Sequence, residues 1–299
     1  MNQSEHHEAR KRRTFFIINP KSGQGLDENF IKQIESASKA SGSEYRLYSM
    51  KGNDREQINV EINRYQPDIV AVAGGDGTIN LVADILINTD LPMAIIPGGS
   101  ANGMAKELGI PVNIDNALKV LFKGKTKEID LLKINGKTCI HLADVGLNAR
   151  VVKRFEKDPK RGIITYAKHL FGEMFLLKKY TFSIFFEGKS IRRKGVSITF
   201  ANARQYGTGA IINPNGKLND GKFELVIIKP FPRIKLLSIA WKMFRNTLHT
   251  SDYAEIISCT EARVICSRKT TLQVDGEVIG KVKEILIECS SKSLKVIVP

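Results

Sequence analysis

No stretch of eighteen apolar residues occurs in the chain, so the sequence predicts no membrane-spanning helix. Cysteine is scarce. The four present, Cys139, Cys259, Cys266 and Cys289, form no CxxC pair, which excludes zinc-ribbon spacing and makes a disulfide framework improbable in 299 residues. Free thiols in a reducing compartment are expected. The N-terminus, MNQSEHHEARKRRT, lacks an apolar signal region, so the expected location is the cytoplasm or a membrane surface. Acidic residues are in deficit: 31 Asp and Glu stand against 46 Lys and Arg, a formal net charge of +15. That balance favours an acidic partner such as nucleic acid, an anionic lipid surface or a phosphorylated ligand. Nucleic acid is not expected, because no basic motif is interleaved with aromatics. The excess is uneven: between Val151 and Lys194 there are 12 Lys and Arg against 4 Asp and Glu.

What is present is ordinary for a globular protein, with 42% hydrophobic and 26% charged residues and length enough for two domains. Residues 1–13 read as a disordered basic tail. TFFIINP (14–20), EYRLYSM (44–50), PDIVAVA (67–73) and LPMAIIP (91–97) are short apolar runs that end at turns, hence strands. Helices are expected between them: from Asp27 to about Ala40, over DREQINVEINRY, from Thr78 to Asn88, through Ala105 and Leu108, and over DNALKVLFK before Gly124. Alternation of buried strands with helices predicts a parallel, doubly wound α/β sheet. After about Glu128 short runs such as TFSIFFEG, KFELVIIK and EILIEC recur, broken by Gly, Asn and Pro, which reads as antiparallel β. The expected organisation is an α/β domain over 14–128, completed by 291–299, and a β-sandwich over 129–290.

Ligands of open α/β sheets bind at the carboxyl ends of the strands. Three loops leave such ends: NPKSGQG (19–25), GGDGTIN (74–80) and GGSAN (98–102). Glycines let a backbone approach a ligand closely, and successive N–H groups beside a helix start attract phosphate oxygens. Three such loops point to an adenine nucleotide, although tight turns serving the fold alone would look similar. None is a Walker A loop or a GxGxxG fingerprint. Asp76 stands out, since a carboxylate beside phosphate is repulsive. Mg²⁺ between the two is the simplest explanation, and it points to phosphoryl transfer.

NPKSG at 19–23, GGDGT at 74–78, PGGSAN at 97–102 and VDGE at 274–277, with LNDGKFEL at 218–225, occur in an order that resembles the diacylglycerol kinase catalytic-domain family. That family includes bacterial lipid kinases, sphingosine kinases and ceramide kinases, and the resemblance runs from about Thr14 onward. It implies a nucleotide-binding α/β domain of the NAD kinase and diacylglycerol kinase type, followed by a β-sandwich. The implied activity is ATP-dependent phosphorylation of a lipid hydroxyl, within lipid metabolism and phospholipid biosynthesis. It places ATP on Asn19, Ser22, Gly23, Gly74, Gly75, Asp76, Gly77, Thr78, Asn80, Gly99, Ser100 and Asn102. Tyr48 falls where the family often has a small nucleotide-contacting residue. Asp275 and Glu277 become the candidates for accepting the hydroxyl proton, with Glu277 slightly preferred. A structural Mg²⁺ near the NDG turn would use Asp220 and the carbonyls of Lys217 and Lys222; an Asx-type turn at Asp220 is the equal alternative. Ser100 and the missing aspartate at Gly103 resemble the sphingosine and ceramide kinases. Arg150 stands where sphingosine kinases have an aspartate, and a cation there disfavours a sphingoid amine.

The expected partner is a lipid substrate in an anionic membrane surface, with the oligomeric state open and a homodimer one option. The basic 151–194 stretch suits such a surface. In a second amphipathic stretch, 232–249, Leu237, Trp241, Phe244 and Leu248 share one helical face. For that stretch a helix packed on the sandwich is preferred to a membrane contact. The alternatives to a lipid kinase are an NAD kinase-like enzyme acting on a soluble substrate and a non-catalytic lipid-binding module.

Overall fold

A computed structural model describes residues 10–22, 28–147, 149–150 and 178–299. The tail up to residue 9, Gly23 and Asp27, and the basic stretch over 151–177 lie outside the described residues.

The chain opens with β1 (Arg13–Ile18), α1 (Glu28–Ala40), β2 (Glu44–Ser49), α2 (Arg55–Tyr65), β3 (Ile69–Gly74), α3 (Asp76–Leu86), β4 (Met93–Pro97), α4 (Gly103–Glu107) and α5 (Ile114–Lys123). The strand pairs β2–β1, β1–β3 and β3–β4 are parallel. Strand β3, IVAVAG, is buried at all six positions. It lies between β1 and β4 with helices packed around it, which is why it reads as an unbroken apolar run rather than an alternating one. Helix α1 buries Phe30, Ile34 and Ser38, one residue per turn on a single face. Asn113 caps α5 by accepting the N–H of Asn116.

The second half is antiparallel: β5 (Lys125–Ile134), β6 (Lys137–Cys139), β7 (Leu142–Gly146), β8 (Tyr180–Phe186), β9 (Lys189–Gly195), β10 (Ser197–Ala201), β11 (Phe223–Ile228), helix α6 (Leu236–Phe244), β12 (Ala254–Cys259), β13 (Glu261–Val274) and β14 (Glu277–Val298). Two long strands join the halves. Strand β5 puts Ile129 and Leu131 into the α/β core and Leu132 and Ile134 into the sandwich core. Strand β14 runs the opposite way beside it, with Ile285 and Ile287 in the sandwich core and Leu294, Val296 and Ile297 in the α/β core. Its last residues lie parallel to β4, with Val296 opposite Met93. The architecture is a doubly wound α/β domain with a C-terminal β-sandwich, linked through one continuous sheet. Among the described residues no helix is long and apolar enough to cross a membrane.

Candidate active site

The carboxyl ends of β1, β3 and β4 lie side by side because those strands are parallel neighbours. The three glycine-containing loops therefore meet. Asn19 N–H donates to the Ala73 carbonyl at 2.9 Å, and its side-chain amide donates to Thr78 Oγ1 at 2.9 Å. Gly98 N–H donates to the Gly74 carbonyl at 2.9 Å. Two glycines make the contact between the second and third loops: a Cβ on Gly99 would sit 2.6 Å from Gly75 Cα. A Cβ on buried Gly74 would meet Thr78 at 2.8 Å. These glycines thus serve close packing of the loops on one another.

Asp76 is the first residue of α3, and its two oxygens accept the N–H groups of Gly103 and Met104, each at 3.0 Å. The carboxylate holds the start of α4, where backbone donors have no partners within the helix. Asn102 completes the turn, with φ of 50° and its Oδ1 accepting Gly99 N–H at 2.8 Å. In the structure Asp76 ties the second loop to the third.

Beside these loops lies a cleft of about 540 Å³. One wall is Asn19, Ser22, Gly75, Gly77, Thr78 and Asn80; the turn after β2 adds Met50, Gly52, Asn53 and Arg55. The opposite wall comes from the sandwich, with Lys137, Thr138, Val274, Glu277 and Ile279. Ser22 N–H is fixed on the Asn19 carbonyl at 3.0 Å. Asn80 Oδ1 is buried with no hydrogen-bond partner among the described residues. Asp84, one turn further along α3, is held by Arg55 and Thr138, with Lys133 Nζ at 3.4 Å. Burial opposes its ionisation, but the hydrogen bonds from Thr138 and Arg55 and the charges of Arg55 and Lys133 outweigh it and keep its carboxyl below the usual range.

The VDGE segment divides in two. Val274 pairs with Glu277 across β13 and β14, and Asp275 and Gly276 form the two-residue turn with φ of 47° and 86°. Glu277 is exposed and reaches the second loop, its Oε1 3.6 Å from the place a Cβ on Gly77 would take. Asp275 turns inward, away from the cleft lining. Its oxygens accept N–H groups from Ile140 at 2.8 Å, His141 at 2.9 Å and Leu142 at 3.1 Å, and the Cys139 thiol at 3.3 Å. Burial raises its pKa to about 6 against the pull of those donors. Asp275 organises the 139–142 turn and does not line the cleft. Burial and the Asp275 charge together push the Cys139 thiol well up.

Other expected residues fall outside the cleft lining. Tyr48 packs on the α/β core and donates from its hydroxyl to Asp54 Oδ2 at 3.0 Å, while Asp54 also accepts Lys51 N–H at 2.6 Å. It braces the 51–54 turn rather than presenting itself to a ligand. Ser100 is exposed on the third loop. At the NDG turn, Asp220 Oδ1 accepts Lys222 N–H at 3.1 Å, which is the Asx turn. Buried Asp130 takes Gly221 N–H and Lys292 N–H, each at 2.7 Å, so the segment is closed by its own hydrogen bonds. Among the described residues no cluster of three or more His, Cys, Asp or Glu could hold a metal.

Arg55, Asp84, Lys137 and Thr138 are among the cleft residues that the sequence reading does not single out. Asp76, Asn80 and Asp84 recur every four residues on α3, a one-face pattern that would have flagged Asp84. Buried His141 was also missed. Its ring lies against α4, where a Cβ on Gly103 would meet it at 2.7 Å. Burial lowers its pKa, partly offset by the Asp76 charge.

Comparison with known proteins follows the same division. Residues 13–134 match the diacylglycerol kinase catalytic domain, and residues 142–298 match the YegS C-terminal NAD kinase beta sandwich-like domain. The chain is 30% identical over 236 residues to "Probable lipid kinase YegS" of Salmonella heidelberg (strain SL476), covering 76% of this chain and 77% of that protein. It is 26% identical over 275 residues to "Diacylglycerol kinase" of Bacillus subtilis (strain 168), covering 90% and 91%. The fold is similar to the crystal structure of a diacylglycerol kinase from Bacillus anthracis str. Sterne, with a TM-score of 0.76 over 96% of this chain and 97% of that one at 18% identity.

Proposed function

The chain belongs to the diacylglycerol kinase catalytic-domain family of bacterial lipid kinases, and on that premise we propose that it transfers the γ-phosphate of ATP to a lipid hydroxyl at a membrane surface. The observation that carries the proposal is the cleft itself. Residues of the first and second glycine-containing loops, Asn19, Ser22, Gly75, Gly77 and Thr78, form one wall, and a carboxylate from the other domain, Glu277, faces them. In this reading Asn19, Ser22, Gly75, Gly77 and Thr78 hold the nucleotide. Lys137 and Arg55 supply positive charge to the phosphates from two sides.

A lipid hydroxyl is a weak nucleophile and needs its proton accepted as it attacks. Glu277 is exposed in the cleft and carries that role; Asp275, saturated with donors, keeps the turn that aims it. Bound with ATP, Mg²⁺ would neutralise the charge on the transferring phosphate. Of the residues present, Asn80 fits it, as a carbonyl oxygen left without a donor at the cleft wall. Asp76 acts by keeping the second and third loops together. Arg150, whose guanidinium donates to the Tyr180 hydroxyl at 2.9 Å, supports a lipid without a free amine, such as diacylglycerol or an amide-bearing sphingolipid.

The test is Glu277→Gln assayed with ATP, Mg²⁺ and lipid in mixed micelles. Loss of proton acceptance should lower kcat by roughly 10²–10⁴ while ATP affinity and melting temperature stay unchanged. Turnover within a few-fold of wild type would remove Glu277 from the chemistry.

A further inference from the structure

Helix α6 shows its apolar face to the outside. Ile234, Leu237, Trp241 and Phe244 are 85%, 67%, 62% and 57% exposed, the four highest values among the exposed large hydrophobics of the described residues. They recur at intervals of three and four, so they form one stripe along the 3-10 turn and the helix that follows it. The opposite side is what packs on the sandwich: Ile239 is buried, and Leu236 and Met243 lie against the same small core as Val226 and Phe231. The expected packing of the 232–249 helix on the sandwich is met by this side, while the stripe faces outward. Leu248, expected on the shared face, lies beyond the helix in a second 3-10 turn and is fully buried.

Leaving this stripe in water forfeits the burial of three large aliphatic or aromatic groups and a tryptophan, and such a patch marks a contact surface. Its charge decides the partner. From Phe231 to Ser251 there is no Asp or Glu, while Arg233, Lys235, Lys242 and Arg245 border the stripe. The Arg245 guanidinium lies 4.8 Å from the Trp241 ring centroid, so cation and aromatic stand side by side. An apolar stripe with tryptophan, bordered only by cations, matches a helix lying in the headgroup region of an anionic bilayer.

We propose that α6 and the preceding turn are a membrane-docking element, with Ile234, Leu237, Trp241 and Phe244 inserted into an anionic lipid surface. The proposal rests on the lipid kinase reading and locates the surface that reading requires. The helix is also tied to the nucleotide loops. Ile211 N–H donates to the Met243 carbonyl at 3.1 Å, and four residues earlier the Gly207 carbonyl accepts Lys106 Nζ of α4 at 3.0 Å. The 207–211 segment thus fixes the docking helix relative to the loop that Asp76 holds.

Trp241 is the single tryptophan of the chain, so its emission reports on this face alone. Full-length protein is mixed, without nucleotide, with vesicles of phosphatidylcholine and phosphatidylglycerol. A blue shift of Trp241 emission, quenching by brominated phosphatidylcholine, and weakening as salt rises are expected. Leu237→Glu/Phe244→Glu changes only exposed side chains and should weaken vesicle partitioning roughly tenfold or more. Unshifted and unquenched emission, or equal partitioning of wild type and variant, would overturn the proposal. So would a variant that turns a dimer into a monomer with vesicle binding intact, which would assign the face to a second copy of the chain. Because no nucleotide is present, failure of kinase chemistry is read separately: vesicle binding with no lipid phosphorylated would sustain the docking face and remove the kinase reading.

Discussion

Asp76→Asn separates two roles for the carboxylate of the second loop. In the structure Asp76 accepts two backbone N–H groups at the start of α4. Asparagine keeps one acceptor oxygen and turns an NH₂ toward the other N–H, so one charge-assisted hydrogen bond is lost and two donors face each other. Bonds to charged groups contribute about 1.5–3 kcal/mol, and Asp76 is only half-buried, so about 2 kcal/mol is the working figure. At roughly 2–4 °C per kcal/mol for a chain of this order of size, the melting temperature should fall by about 4–8 °C. The measurement is thermal unfolding by circular dichroism with no nucleotide and with a chelator present. A residue acting only as a Mg²⁺ ligand would leave that apo transition unmoved or raise it, since one negative charge is removed. A variant that melts within about a degree of wild type under these conditions would refute the reasoning.

Gly99→Ala drives a Cβ to 2.6 Å from Gly75 Cα, so it should cost about 1–3 kcal/mol in urea unfolding, whereas exposed Ser100→Ala should change stability by less than about 0.5 kcal/mol. Lys137→Ala should raise the Kd for ATP, measured by calorimetry, by roughly tenfold without altering the melting temperature, because Lys137 is exposed in the cleft and outside both cores. Asp275 gives a pH signature. Its pKa rises from 3.8 to about 6 on folding, so between those values the folded chain binds a proton that the unfolded chain has released. Its contribution to stability is therefore present at the acid end and lost as pH rises through the window; Asp275→Asn should flatten that part of the urea-midpoint profile, and an identical slope in both proteins would contradict the burial argument.

The parts of this molecule legible in the sequence are those set by neighbours along the chain. The apolar run of β3, the one-face spacing of α1 and the glycines at strand ends follow from local rules, and so do the parallel sheet and the antiparallel half. The partners of Asp76 and Asp275 do not. Gly103 lies 27 residues from Asp76, and His141 lies 134 from Asp275, and only the tertiary packing within each half brings them together. In VDGE the sequence offers two carboxylates two positions apart, and a two-residue turn sends one inward and the other to the cleft. The helical period over 232–249 was legible, but which face points outward depends on Val226 and Phe231 beneath it, and the helix ends before Leu248. Lys137 carried no signal at all, because its place opposite the phosphate loops is set by the pairing of β5 with β6.

The most direct test of the central claim offers the purified protein ATP and Mg²⁺ with a panel of acceptors: diacylglycerol, ceramide, sphingosine, phosphatidylglycerol and a polyprenol in mixed micelles, and NAD in solution. The account predicts a phosphorylated lipid among the amine-free acceptors, and no such product with Glu277→Gln. Phosphorylated NAD with every lipid unreacted would contradict it.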